Sequence, residues 1–337
     1  MKARVLAGRF FFVATIAVAG VLGAACDADA PSTLDPKGSG AERIAGLTYL
    51  LLVISAIVFV IVTIGLVVSI LRGRRKPDDV DTREVRWGSP FILVSGGVIP
   101  ALVLAGVFTV SVRDQALLSR AAEDSVMTID VVGHLWWWEA RYPNGAVTAN
   151  EIHIPVGEKV RLRLTTDDVI HSFWVPQLQA KTDTINGHVN YMWLDALEPG
   201  RYRGQCAEFC GVQHAKMLFY VVAEPRPAFD EWVANEALDV AAPFTPTAET
   251  GERVFLEGSC AGCHAIRGTP ADQTLGPDLT HLATRETLAS GIIPNTTENL
   301  EELILHPQSV KPGIVMPPTS LSEDELAALV EYLQQLR

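Results

Sequence analysis

Residues 47–71 and 91–112 contain no charged side chain, and these two stretches restrict the chain more than any other feature. A helix needs about 20 apolar residues to cross a hydrocarbon core. In lipid the backbone must bond within its own segment, so both stretches are expected as membrane-spanning helices. Between them lie Arg72, Arg74, Arg75, Lys76, Arg83 and Arg86, a basic loop that the positive-inside rule puts in the cytoplasm. A single such run could equally be a buried core helix. Two runs flanking a basic loop read as a transmembrane hairpin over residues 40–115, with everything after Val112 outside.

Charge follows the same division. Residues 1–112 carry 11 Lys+Arg and 8 Asp+Glu, a balance of +3; the chain totals of 27 and 39 leave 16 basic and 31 acidic residues, −15, for the remainder. An acidic soluble body on a membrane anchor suits a basic protein partner or plain solubility, and implies no nucleic acid. Lys2, Arg4 and Arg9 precede an apolar run ending in V-L-G-A-A-C at Cys26, the layout of a signal peptide over residues 1–26. The Cys after small residues makes Cys26 a candidate for lipidation, although the Leu stands one place too far from it. Plain cleavage and an uncleaved helix are the alternatives.

From Val126 the pattern changes to short alternating segments such as M-T-I-D-V-V, K-V-R-L-R-L and M-L-F-Y-V-V-A, broken by Gly, Pro and Asn. Val160, Leu162 and Leu164 are expected on one face of a strand, and Arg161 and Arg163 on the other. Several such strands suggest a β-sandwich or Greek-key barrel over residues 125–226. Between its last two strands runs Q-C-A-E-F-C-G-V-Q-H-A-K-M, residues 205–217. Cys206, Cys210, His214 and Met217 gather two thiols, an imidazole and a thioether, a soft mixture that suits copper. Zinc could use two Cys and a His but has no use for the thioether. A Cys206–Cys210 disulfide is the remaining alternative. A further ligand is expected from another loop, and D-V-I-H-S-F-W-V-P supplies His171.

The segments G-H-L-W-W-W-E, D-V-I-H-S-F-W-V-P, K-T-D and C-A-E-F-C-G-V-Q-H-A-K-M, following a two-helix hairpin, resemble subunit II of haem-copper cytochrome c oxidases over about residues 40–225. The resemblance implies an all-β cupredoxin-like domain holding a binuclear copper A centre. Cys206 and Cys210 would bridge two coppers; His171 and Met217 would complete one, His214 and the backbone carbonyl of Glu208 the other. It also implies a magnesium shared with subunit I through the Glu208 side chain. Trp136 would be the point of electron entry, and Glu84 would lie near a proton-uptake entrance in subunit I. The chain departs from the family at Leu135, where Gln is common, and at Asn186 and His188, where Pro and Arg are common. These departures touch the surroundings of the copper site and leave its ligands intact. Trp138 reads as a structural residue or a docking neighbour, and His134 and His153 as structural residues.

An Ala/Pro/Thr-rich linker over residues 227–248, with a short helical piece near Phe229–Asn235, leads to a third segment, residues 249–337. C-A-G-C-H at Cys260, Cys263 and His264 is the attachment pattern of a covalent haem c. Met316, stiffened by Pro317 and Pro318, is the expected second axial ligand, with His281 and His306 as competitors. Ser322 and Glu325 form a capping box before an amphipathic helix. Together these features resemble an all-α class I cytochrome c. The five cysteines thus have one use each.

The resemblances imply the electron-entry subunit of a cytochrome-c-fused terminal oxidase. Electrons would pass from an external donor through haem c to copper A, and on to haem a and the oxygen-reducing site of subunit I. The expected setting is a bacterial cell membrane, with both metal domains on its outer side and other oxidase subunits as partners. The alternative is a free-standing membrane-anchored copper and haem carrier serving another reductase. Its metal loops would look the same.

Overall fold

The computed structural model describes residues 31–73, 88–120 and 125–337. The signal peptide with Cys26, and most of the basic loop with Glu84, lie outside the described residues. Two long apolar helices stand at the amino-terminal end. The first, α1, is Ser39–Gly73. The second consists of α2 (Gly88–Leu93), a π turn (Val94–Val98) and α3 (Ile99–Arg120). Pro100 offers no N–H to the preceding turn, and the backbone widens just there. Both are long and apolar enough to cross a membrane, with mean hydropathies of 3.2 and 2.4, and apart from Ala41 and Ala45, buried at the start of α1, their apolar side chains are not buried in protein.

The outer ends of these helices are tied to the β-domain through one strand, β8 (Asn190–Leu194). Just beyond it, Asp195 accepts the backbone N–H and the hydroxyl of Ser39 at 2.8 and 2.6 Å, placing a carboxylate at the α1 N-terminus. Within it, the Trp193 indole N–H donates to the Leu118 carbonyl near the end of α3.

The β-domain has two five-stranded sheets. One has the order β3 (Val147–Ala149), β2 (Trp137–Arg141), β1 (Met127–His134), β5 (Val160–Thr166), β8; the other has β4 (Glu151–Pro155), β10 (Leu218–Glu224), β9 (Gly200–Cys206), β6 (His171–Trp174), β7 (Thr182–Thr184). The expected alternation holds in β5, where Val160, Leu162 and Leu164 are buried and the arginines between them are not. β1 pairs parallel with β5, and β4 with β10, the crossovers of a cupredoxin-like sandwich. Trp138, Phe173 and Phe219 meet in its core with ring centroids 4.3–5.6 Å apart. A Cβ at Gly204 would stand 2.2 Å from the Phe219 ring, so β9 needs glycine there. The stretch read as linker carries helix α4 (Arg226–Asn235), which buries Phe229 in this core and stacks Trp232 on His153 at 3.9 Å.

The last segment is helical: α5 (Pro246–Glu257), α6 (Thr297–Leu305), α7 (Pro307–Val310) and α8 (Glu323–Gln335), with the expected capping box at Ser322 and Glu325. Helices α5 and α8 cross closely. A Cβ at Gly251 would lie 1.9 Å from the Ala328 carbonyl oxygen. This domain docks on the β-domain through Glu151, whose carboxylate accepts the backbone N–H groups of Glu286 and Thr287 at 3.1 and 2.9 Å and pairs with Arg201 at 2.8 Å.

Candidate metal centre and haem cleft

Strand register assembles the first site. β6 pairs with β9 so that Phe173 faces Cys206, which sets His171, at the start of β6, beside the end of β9. The loop from Cys206 returns at Met217, whose carbonyl accepts the Cys206 N–H at 3.0 Å. Within this frame Cys206 Sγ lies 3.8 Å from Cys210 Sγ, 3.9 Å from His171 Nδ1 and 3.2 Å from the Glu208 carbonyl oxygen. Cys210 Sγ lies 3.7 Å from His214 Nδ1 and 3.8 Å from Met217 Sδ. His171, Cys206, Cys210 and Met217 are all buried. The Glu208 carboxylate turns away from the sulfurs toward Lys181, 3.7 Å distant.

These donors fit copper. Two sulfurs 3.8 Å apart are well beyond the ~2.05 Å of a disulfide, and metal–thiolate bonds of ~2.3 Å from each can meet on either side of the line between them. The set, with two imidazoles, a thioether and a carbonyl, exceeds what one tetrahedral zinc takes. Without a cation the thiols cannot both ionise. Hydrogen bonding to Cys210 pulls Cys206 well down despite its burial, with His171 helping, while the same bond and burial push Cys210 far up. A bound cation relieves that conflict.

Asp168 was not singled out by the sequence, where D-D-V-I-H gives an acidic residue no mark of a role. Its Oδ1 accepts from His171 Nε2 at 2.8 Å, fixing the ring so that Nδ1 faces the sulfurs; its Oδ2 accepts the Leu135 N–H at 2.7 Å. Burial opposes the charged form of His171, yet the bonds to Asp168 and Cys206 outweigh it and raise its pKa.

The second site is a half-open cleft whose walls include Cys260, Cys263, His264 and Met316. His264 Nδ1–H donates to the Pro277 carbonyl at 2.8 Å, which leaves Nε2 for a ligand. Burial lowers the pKa of this imidazole, keeping it neutral and able to bind a metal. A Cβ at Gly276 would lie 2.6 Å from His264 Cε1, so G-P-D-L is a seat for the ring. The cleft is lined mainly by apolar side chains, and Arg285 on its wall has an Nε with no partner among the described residues. An apolar macrocycle bearing carboxylates fits that lining. His281 and His306 are absent from these walls; His281 Nε2 is engaged by the Leu238 carbonyl at 3.1 Å.

Trp136 stands on the wall of this cleft although it belongs to the β-domain. Its indole N–H donates to the Cys210 carbonyl at 2.7 Å, and the ring covers Gly211, where a Cβ would come within 3.2 Å. One aromatic side chain thus spans from the cleft to the backbone of a thiol donor. Trp138 is fully buried with its ring centroid 5.8 Å from that of His171, and His134 stacks on Trp137 at 4.2 Å; both are packing residues.

The family model described as cytochrome c oxidase subunit II, periplasmic domain, matches residues 146–224, and that described as cytochrome c matches residues 248–337. The chain is 39% identical over 316 residues to the cytochrome c oxidase subunit 2 of Alkalihalophilus pseudofirmus, covering 91% of each chain. It is 34% identical over 285 residues to that of Bacillus sp. strain PS3, covering 78% of this chain and 79% of the relative. To that of Bacillus subtilis it is 31% identical over 328 residues, covering 91% and 92%.

Proposed function

The chain belongs to the cytochrome c oxidase subunit 2 family, in a form fused to a cytochrome c domain, and from that membership we propose that it is the electron-entry subunit, taking electrons from an external donor on its cytochrome side and delivering them to its copper side. As a member of that family it is part of an oxidoreductase complex, in which subunit I is its partner. Its two soluble domains imply haem c and copper A.

Bound to this chain, the haem and a pair of coppers would each accept and release one electron with little rearrangement, and the next acceptor would be haem a of subunit I. The protein's own part is to hold and to insulate. Cys260 and Cys263 would tether the haem, and His264 and Met316 would hold its iron. Cys206, Cys210, His171, Met217, His214 and the Glu208 carbonyl would hold the copper pair. Burial of the thiols keeps water from the site, and Asp168 holds His171 in one orientation.

The observation that carries this reading is Trp136, in contact with the cleft on one side and hydrogen-bonded to Cys210 on the other. The two apolar helices would span the bilayer with the 74–87 segment inside, so that both metal domains face outward. Glu84 would lie near a proton entrance of subunit I, and the Glu208 carboxylate would reach a shared magnesium. Detergent purification of the full chain, followed by metal analysis and a reduced-minus-oxidised spectrum, tests the reading. We expect two coppers and one haem c per chain, together with haem a from a co-purifying large subunit. A lone polypeptide with its metals intact would instead favour a free-standing carrier.

A further inference from the structure

Lys311, in the turn after α7, is 4% exposed, and its ammonium has no carboxylate partner among the described residues. Burying a cation in this way is costly, and an apolar side chain would fill the same space at less expense. Burial, with nearby Lys216, pulls its pKa down to about 7 against the opposing influence of Cys210.

Its partners lie across the domain boundary. Lys311 Nζ donates to the Trp136 carbonyl and to Ser290 Oγ, both at 2.9 Å, and the Ser290 hydroxyl donates to the same carbonyl at 2.8 Å. The turn that presents Ser290 has Ala289 and Ser290 at φ 53° and 62°, a left-handed backbone that non-glycine residues seldom adopt. Two separate segments of the cytochrome domain therefore converge on one oxygen atom of the β-domain. That oxygen belongs to the residue whose indole is bonded to the Cys210 carbonyl. Lys311, Ser290 and Trp136 all stand on the cleft wall that also carries Cys260, Cys263, His264 and Met316.

We propose that Lys311 and Ser290 are positioning residues that clamp Trp136 between the cleft and the copper loop, and so set the rate at which electrons cross between the domains. The inference rests on the electron-entry reading above. In the step concerned, one electron is lost on the haem side and gained on the copper side; no bond forms or breaks and no proton need move. Such transfer weakens steeply as a gap opens along the path. Neither residue touches a reacting group, and both act through the Trp136 backbone.

The test uses the purified oxidase complex with Lys311→Met, Ser290→Ala and the double variant. A light-triggered one-electron reductant loads the haem, and the reoxidation of haem and the reduction of copper are followed optically. We expect haem-to-copper transfer to slow by about tenfold in Lys311→Met, less than the ~10²-fold that a 1 Å misplacement can cost, and by less in Ser290→Ala. The KM for the external donor should stay constant while kcat falls, and the haem ligation spectrum and copper resonance should be unchanged. Hydrogen exchange of the 135–138 amides should quicken in the same variants, a readout independent of turnover. Unchanged transfer rates with both centres intact would overturn the proposal. If Lys311→Met fails to load its cofactors, Ser290→Ala decides alone, slowed transfer supporting the clamp and unchanged transfer refuting it. If the wild-type complex itself shows no haem-to-copper transfer, the electron-entry reading fails instead.

Discussion

The two candidate centres are built on opposite principles. At the copper loop, four donors sit buried at the end of a close-packed sandwich, and Cys206, Cys210 and Met217 are themselves part of its core, which extends from Ile129 to Phe229. At the haem cleft the donors are half-buried around an open space, and Phe255, Leu282, Leu300, Leu329 and Leu333 border that space and also make up much of the domain's own core. A pair of ions needs only a few atoms held in place, which strand register and one loop can do. A macrocycle occupies as much room as several side chains and becomes part of the core itself.

Loss of a ligand should therefore act differently at the two ends. His264→Ala is expected to abolish haem retention and to unfold the α5–α8 domain, seen as lost helical circular dichroism. Cys210→Ser should abolish the copper signal yet leave the β-domain melting within a few degrees of the wild type. Equal destabilisation of both domains would break the comparison.

The next effect concerns pH. Burial raises Glu236 from 4.5 to about 7, with Arg285 opposing and Asp278 adding, and one of its oxygens has no partner among the described residues. In that window the carboxyl is neutral when folded and ionised when unfolded. Its contribution is therefore full below about pH 4.5 and is lost as pH rises through 7. Glu236→Gln should remove a stability slope worth about 3 kcal/mol between those limits, measured by denaturant unfolding. At Glu139 in the β-domain burial alone would raise the pKa, but bonds to His134 and Arg141 outweigh it and lower it, so its contribution is lost toward acid instead. A flat profile in the wild type would remove this contrast between the two carboxyls.

Asp168→Asn is expected to weaken copper retention by about 10–100-fold, the usual scale for losing a group that orients a metal-binding histidine. Competition with a chelator would measure it. The smallest expected effect is at Glu208, whose carboxylate lies beside Lys181 while only its carbonyl faces Cys206. Glu208→Gln should leave copper content unchanged; a loss of copper would place the side chain in the centre after all.

Much of this was legible in residue order. Period-two alternation in β5, and the capping box before α8, report local backbone preferences that the fold keeps. The donor types at Cys206, Cys210, His214 and Met217 lie within one loop, and their chemistry is readable before their geometry. Asp168 was not legible, because an acidic residue three places before a histidine is commonplace until strand pairing turns the two together.

What the sequence determined by itself was local: two helices forced by uncharged spans, strands by alternation, a soft-metal loop and a haem attachment pattern by the kinds of side chain present. What only the tertiary structure decided was the meeting of the two domains. The Trp136 carbonyl is bonded to Ser290, 154 residues on, and to Lys311, 175 residues on. Contacts at such separation follow from how whole domains pack against each other, and no local preference or spacing records them.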